Sequence, residues 1–112
     1  MKTDSNKNII QLFKHNNDSA TVTKVADDFD LVRGGMLSEL NIAYETWGSL
    51  NKDKSNVVVI FTGLSASSHV ASSSVDQTPG WWEAVVGLDK AINTKDHYVI
   101  CINTLGSCFG ST

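Results

Sequence analysis

Cysteine is scarce in this sequence. The two residues, Cys101 and Cys108, are too few for a disulfide framework and offer no zinc quartet. Cys101 lies inside an apolar run and reads as a small packed hydrophobe, whereas Cys108 follows a Gly-Ser turn and reads as more exposed. Positive charge is also sparse. The formal net charge is −3 and no basic cluster exceeds two residues, so the electrostatic footprint of a nucleic-acid binder is missing. No apolar run approaches the roughly 20 residues that cross a bilayer. The charged start "MKTDSNKNII" is not followed by the apolar core of a secretory signal, so a cytoplasmic location is expected. Asp27, Asp28 and Asp30 lack the glycine-centred spacing of a calcium loop and read as a solvated edge, and no metal site is expected.

What is present is ordinary globular material, 41% hydrophobic and 19% charged. Residues 1–26 form a polar N-terminal segment, with one short helix expected around Ile9 to Lys14. From there Phe29 and Leu31, then Leu40, Ile42, Tyr44 and Thr46, alternate with polar neighbours around Gly34-Gly35. Period two on either side of a glycine turn predicts a strand hairpin. "NVVVIF" and "HYVICINT" are continuous apolar runs instead, which predicts strands covered on both faces inside a parallel sheet. Between them come a serine-rich loop, Ser65 to Gln77, and the single proline, Pro79. Trp82, Val85 and Val86 at i, i+3 and i+4 then predict a short helix over "WWEAVVGLDKAI". The expected fold class is α/β: an antiparallel hairpin leading into a parallel sheet. One helix cannot cover two buried strands. Residues 27–112 are therefore read as the N-terminal part of a larger domain, with a small free-standing domain as the alternative.

The stretch Gly63-Leu64-Ser65-Ala66-Ser67 nearly spells the Gly-x-Ser-x-Gly nucleophile elbow. Three features argue against Ser65 as the nucleophile. The fifth position is Ser67, not glycine. His69 is too near in the chain to act as the usual base, and His97 precedes a strand with no route to Ser65. Finally, "SASSHVASSS" is poor helix material where an elbow needs a helix. Two readings of the loop remain. It is either a plain polar connection, or a glycine turn whose backbone N–H groups face a developing oxyanion, each donor contributing about 3–4 kcal/mol to transition-state stabilisation. In the second reading the donor is the Leu64 N–H, because the loop follows the third strand.

"LNIAYETWGSLN", "GLSASSHV" and "PGWWEAVVGLDKAINTKDHYVICINTLGSCFGST" occur together and in order over roughly residues 27–112. In these pieces the chain resembles the N-terminal part of the homoserine O-acetyltransferase family of α/β-hydrolase-fold acyltransferases. The resemblance implies an α/β-hydrolase fold and a serine acyl-enzyme. That serine takes an acyl group from acyl-CoA, a co-substrate and not a resident cofactor, and passes it to an amino-acid hydroxyl in methionine or cysteine synthesis. It implies a homodimer for the full-length protein. It also implies that the nucleophile, acid and base lie beyond the matched residues, that this chain is truncated before the nucleophile elbow, and that it is inactive alone. The Gly63–Ser67 loop (Gly63, Leu64, Ser65, Ala66, Ser67) matches the family's oxyanion and specificity loop, with Leu64 as the backbone donor. Homoserine with acetyl-CoA is the first reading of the substrates. Ser65-Ala66 is more similar to relatives that transfer succinyl groups, including those acting on serine.

Other residues have plainer readings. His69 is expected to be a structural histidine bonded within the loop. Trp47 is expected to pack, and at least one of Trp81 and Trp82 to be buried. "LGSCFGST" lacks the lysine of a phosphate loop and reads as a connection near the site mouth, with Asn103 bonding neighbouring backbone. The reading from a different class is a non-catalytic module that docks through an open sheet edge.

Overall fold

The computed structural model describes residues 19–112, so the helix expected around Ile9 to Lys14 lies outside the described residues. Four strands make the main sheet: β1 (Thr21–Asp30), β2 (Met36–Trp47), β3 (Val57–Phe61) and β6 (Tyr98–Ile102). Two-residue strands β4 (Val86–Gly87) and β5 (Ile92–Asn93) pair parallel to each other in the long connection between β3 and β6. The order across the main sheet is β1-β2-β6-β3.

The hairpin forms about the glycine turn as expected, but the face is corrected: Ala43, Glu45 and Trp47 are buried on β2, whereas Ile42 and Tyr44 are half-buried and Thr46 is exposed. β1 runs antiparallel to β2, and the turn uses Gly34 and Gly35 at φ 93° and 94°, a left-handed region that glycine enters without strain. β1 starts at Thr21, inside the segment 1–26 read as polar N-terminal chain. As an edge strand it is exposed along nearly all its length, so its polar composition hides a β-branched "TVT" start. β6 then inserts between β2 and β3. It is antiparallel to β2, with Trp47 opposite Val99, and parallel to β3, with Ile60 opposite Cys101. An antiparallel hairpin thus leads into a parallel pair.

The connection 62–97 covers one face of this sheet. Trp47, Ile60, Val99 and Cys101 pack there against Val70, Ala71 and Val86. The opposite face is open among the described residues: Val57, Val59 and Phe61 alternate outward, and Phe61 is 80% exposed. The expectation that β3 is covered on both faces is therefore corrected. One crossover covers one face, and alternate residues of a strand must point away from it.

The expected helix over residues 81–92 is also absent. One turn forms, with Val85 N and Val86 N donating to Trp82 O, and this turn satisfies the i, i+3, i+4 spacing. Gly87 at φ 153° and Asp89 at φ 57° then turn the chain back, and Ile92 N donates to Val85 O at 2.8 Å. Ahead of the turn, Trp82 N donates to Val70 O at 2.8 Å. Gly80 is pressed so closely on that segment that a Cβ there would lie 2.0 Å from the Val70 carbonyl carbon. Trp47 packs as expected and donates its indole N–H to Ser72 O, whereas Trp81 and Trp82 stack on each other, centroids 5.5 Å apart, and neither is buried.

Candidate functional site

β3 and β6 are parallel, so the loops after them, from Thr62 and from Asn103, leave the sheet at the same end. Crevices outside the carboxyl ends of parallel strands are where such sheets bind ligands. Gly63, Leu64 and Ser65 lie there, exposed, and the Leu64 side chain is wholly in solvent. The amides of Gly63, Leu64, Ser65 and Ala66 make no hydrogen bond among the described residues.

Both ends of this span are held. Thr62 Oγ1 meets Thr104 Oγ1 at 3.0 Å. At the far end Ser67 O accepts the Trp81 indole N–H at 2.8 Å. Ser68 is fully buried: its N–H donates to Asn103 Oδ1 at 2.7 Å, and its hydroxyl accepts from Asn103 Nδ2 at 2.9 Å. Asn103 is itself fixed, donating its N–H to Ala43 O, while its carbonyl accepts from the buried Ser111 hydroxyl. Ser111 Oγ in turn accepts from Ala43 N, which folds the glycine-rich loop back onto β2. Asn103 therefore bonds backbone as expected, but 35 residues away in the chain.

Beneath the loop is a carboxylate that the alternation alone did not flag. Glu45 takes an inward position between Ala43 and Trp47 on β2 and is 5% exposed. It accepts from the Ser68 hydroxyl at 3.0 Å and from Ser19, and pairs with His69 Nδ1 at 3.0 Å. The alternation of Leu40, Ile42, Tyr44 and Thr46 puts Glu45 on the outward face, so periodicity gives no signal for it. His69 Nε2 meets Thr78 O at 2.8 Å, and the Thr78 hydroxyl is committed to Asp76 at 2.6 Å. Both ring nitrogens thus face acceptors, which favours the imidazolium. Burial on its own would lower the His69 pKa. The bonds to Glu45 and to the Thr78 carbonyl, with the charges of Glu45 and Asp76, outweigh it and raise the pKa. His69 is structural, as expected.

Ser65 has no hydrogen bond to either histidine. His69 is engaged by Glu45 and Thr78, while His97 sits at the opposite end of the parallel strands, its Nδ1 on Asn93 O. A strand of five residues separates those ends by about 17 Å. Glu83 is likewise structural. Its carboxylate accepts from the Ser72 hydroxyl at 2.6 Å, Gly80 N at 2.8 Å and Ser72 N at 2.7 Å, which pulls its pKa down to about 2. Cys101 is buried, and burial together with the Glu45 charge pushes its thiol up to about 12, so it is inert as a nucleophile. A cleft of about 150 Å³ lies between Ser19 and Thr21, Glu45, Trp47 and Ser73 to Val75, away from the Leu64 amide. No helix among the described residues is long and apolar enough to cross a membrane.

No family model matches the chain. The chain is 52% identical over 84 residues to serine O-succinyltransferase of Xanthomonas oryzae pv. oryzae (strain MAFF 311018), covering 75% of this chain and 21% of that protein. It is 56% identical over 79 residues to serine O-succinyltransferase of Schizosaccharomyces pombe, covering 70% of this chain and 16% of that protein. Among solved structures, homoserine O-acetyltransferase from Bacillus anthracis is 34% identical with a TM-score of 0.65, covering 77% of this chain and 24% of that one. Esterase E22 is 34% identical with a TM-score of 0.69, covering 79% and 24%. The chain thus spans about a fifth of the length of the curated relatives it matches.

Proposed function

The chain is a relative of the homoserine O-acetyltransferase family, amino-acid O-acyltransferases of the α/β-hydrolase fold, and from that premise we propose that the whole protein transfers an acyl group from acyl-CoA to a small amino acid's hydroxyl. A serine outside the described residues attacks the thioester carbonyl, and the carbonyl oxygen becomes an oxyanion. The thiolate of CoA leaves as the carbonyl re-forms, giving an acyl-enzyme. The acceptor hydroxyl then attacks the ester and releases the serine. In this reading the Leu64 N–H donates to the oxyanion in both halves of the reaction, and Ser65 is not the nucleophile. The observation that carries the reading is the row of amides at the carboxyl end of β3 that make no hydrogen bond among the described residues. A cytoplasmic location and a homodimer belong to the same proposal.

Homoserine with acetyl-CoA is the first donor–acceptor pair. Serine with succinyl-CoA is the second, supported by relatives of that name at 52% and 56% identity. The test is CoA release by the whole protein with each donor against each acceptor. Turnover dependent on an acceptor amino acid supports the proposal, and the preferred pair identifies the substrates. Acyl release that ignores the acceptor points to hydrolysis, the chemistry named for esterase E22. Silence with every pair favours the binding-module reading, for which the exposed edge of β3 is the feature.

A further inference from the structure

The amides of the span Gly63 to Ala66 make no hydrogen bond among the described residues, yet the span is not a free loop. Its flanks are fixed by three contacts to two segments: Thr62 to Thr104 and Ser68 to Asn103, both just after β6, and Ser67 to the Trp81 indole in the crossover. Asn103 is fully buried and bonded to β2 through Ala43, so it serves as a rigid post, whereas Thr104 and Trp81 reach the loop from solvent. Four residues between fixed ends reach at most about 14 Å fully extended, so their backbone directions are set largely by where those ends sit.

We propose that Thr104, Trp81 and Asn103 are positioning residues that hold the Gly63–Ala66 span by its two ends and so aim the Leu64 amide. This rests on the oxyanion role given to Leu64 above. None of the three touches the reacting atoms. Each acts through the loop backbone, so loosening one end reduces transition-state stabilisation and leaves ground-state binding of the acyl donor intact. Misplacing a reacting geometry by about 1 Å costs up to 10²-fold in rate, and losing one of two ends is expected to cost about tenfold in kcat.

The test is steady-state kinetics of the whole protein carrying Thr104→Val, Thr104→Ser, Trp81→Phe or Thr104→Val with Trp81→Phe. These side chains are partly exposed, so the variants are expected to fold, with a melting temperature near that of the parent. Thr104→Val and Trp81→Phe each lower kcat about tenfold with KM for acyl-CoA within twofold. Thr104→Ser, which keeps the hydroxyl, retains the parent kcat, and the double variant falls further than either single one. An active parent whose kcat is unmoved by Thr104→Val and Trp81→Phe overturns this inference alone, as does a fall in kcat that Thr104→Ser reproduces. A parent that turns over no donor with any acceptor overturns both this inference and the acyltransferase reading.

Discussion

Glu45 on β2 and His69 in the crossover meet at 3.0 Å, joining segments 24 residues apart through a carboxylate and an imidazole that are both largely withdrawn from solvent. The pair is completed by the Thr78 carbonyl on the other ring nitrogen and by the Ser68 hydroxyl on the other carboxylate oxygen. No buried side-chain polar atom among the described residues is left without a partner. Removing one member leaves the others short of a bond. His69→Ala is expected to destabilise the protein by about 1–3 kcal/mol, the desolvation cost of an unsatisfied buried polar group. Denaturant melts of the two proteins check the value.

The same pair predicts a pH dependence. Folding raises the His69 pKa above 6.5, so the folded chain holds that proton more tightly than the unfolded chain does. The resulting stability is fully present below pH 6.5 and is lost as pH rises through the folded value. Melting temperature should therefore decline as pH rises from 6.5 through the folded value, and His69→Gln should flatten that decline. NMR titration of the His69 ring gives the folded pKa directly, and a value at or below 6.5 contradicts the assignment.

Glu83 works in the opposite sense. Its pKa is lowered from 4.5 to about 2 by the Ser72 and Gly80 bonds, so its contribution is present above pH 4.5 and lost as pH falls toward 2. Glu83→Gln is expected to remove part of the acid-side loss of stability, read from melts between pH 2 and pH 5.

Gly80→Ala should be strongly damaging. The added methyl would sit 2.0 Å from the Val70 carbonyl carbon, against the Val70–Ala71 peptide and with no flexible side chain to yield. A loss at or above the 1–3 kcal/mol typical of overpacking is expected, seen as a lower denaturation midpoint. Gly63→Ala, where a Cβ meets nothing within 4 Å, is the matched control.

Leu64→Pro deletes one N–H at a position whose side chain packs against nothing. In the whole protein kcat is expected to fall about 10²- to 10³-fold, the loss seen when one oxyanion donor is removed. Ser65→Ala should leave kcat within about twofold, and mass spectrometry of the trapped acyl-enzyme should find no adduct on Ser65. The 112-residue chain alone should release no CoA.

Much of this was legible in the residues. The alternation from Phe29 to Thr46 about Gly34-Gly35 marks a hairpin because strands repeat every two residues and the turn needs positive φ, but it puts Ile42, Tyr44 and Thr46 on the face where Ala43, Glu45 and Trp47 belong. Tyr98–Ile102 is legible as an inner strand from its apolar run, but as in β3 one face is not covered: Val99 and Cys101 are buried while Tyr98, Ile100 and Ile102 are half-buried. The absence of the helix expected over residues 81–92 has a definite cause. Trp82, Val85 and Val86 satisfy helical spacing over a single turn, and that spacing is blind to the backbone reversals at Gly87 and Asp89. β1 was misplaced because an exposed edge strand imposes little on its composition. The Glu45–His69 pair and the Asn103 post join residues far apart in the chain, and periodicity carries no information about which distant side chains meet. The strand-end position of Leu64 was legible because it depends on local order alone.

The placement of β6 between β2 and β3 also constrains how the chain acquires its shape. Trp47 finds its partner in Val99, about fifty residues later, and β3 likewise waits for Tyr98–Ile102. Among the described strands of the main sheet, only the β1–β2 hairpin can zip from neighbouring sequence. During synthesis the inner edge of β2 must therefore stay unpaired until the whole crossover has left the ribosome, a high-contact-order step that is intrinsically slow. For that interval the nascent chain carries a naked strand edge, the kind of surface that chaperones shield and that drives association between copies when they do not.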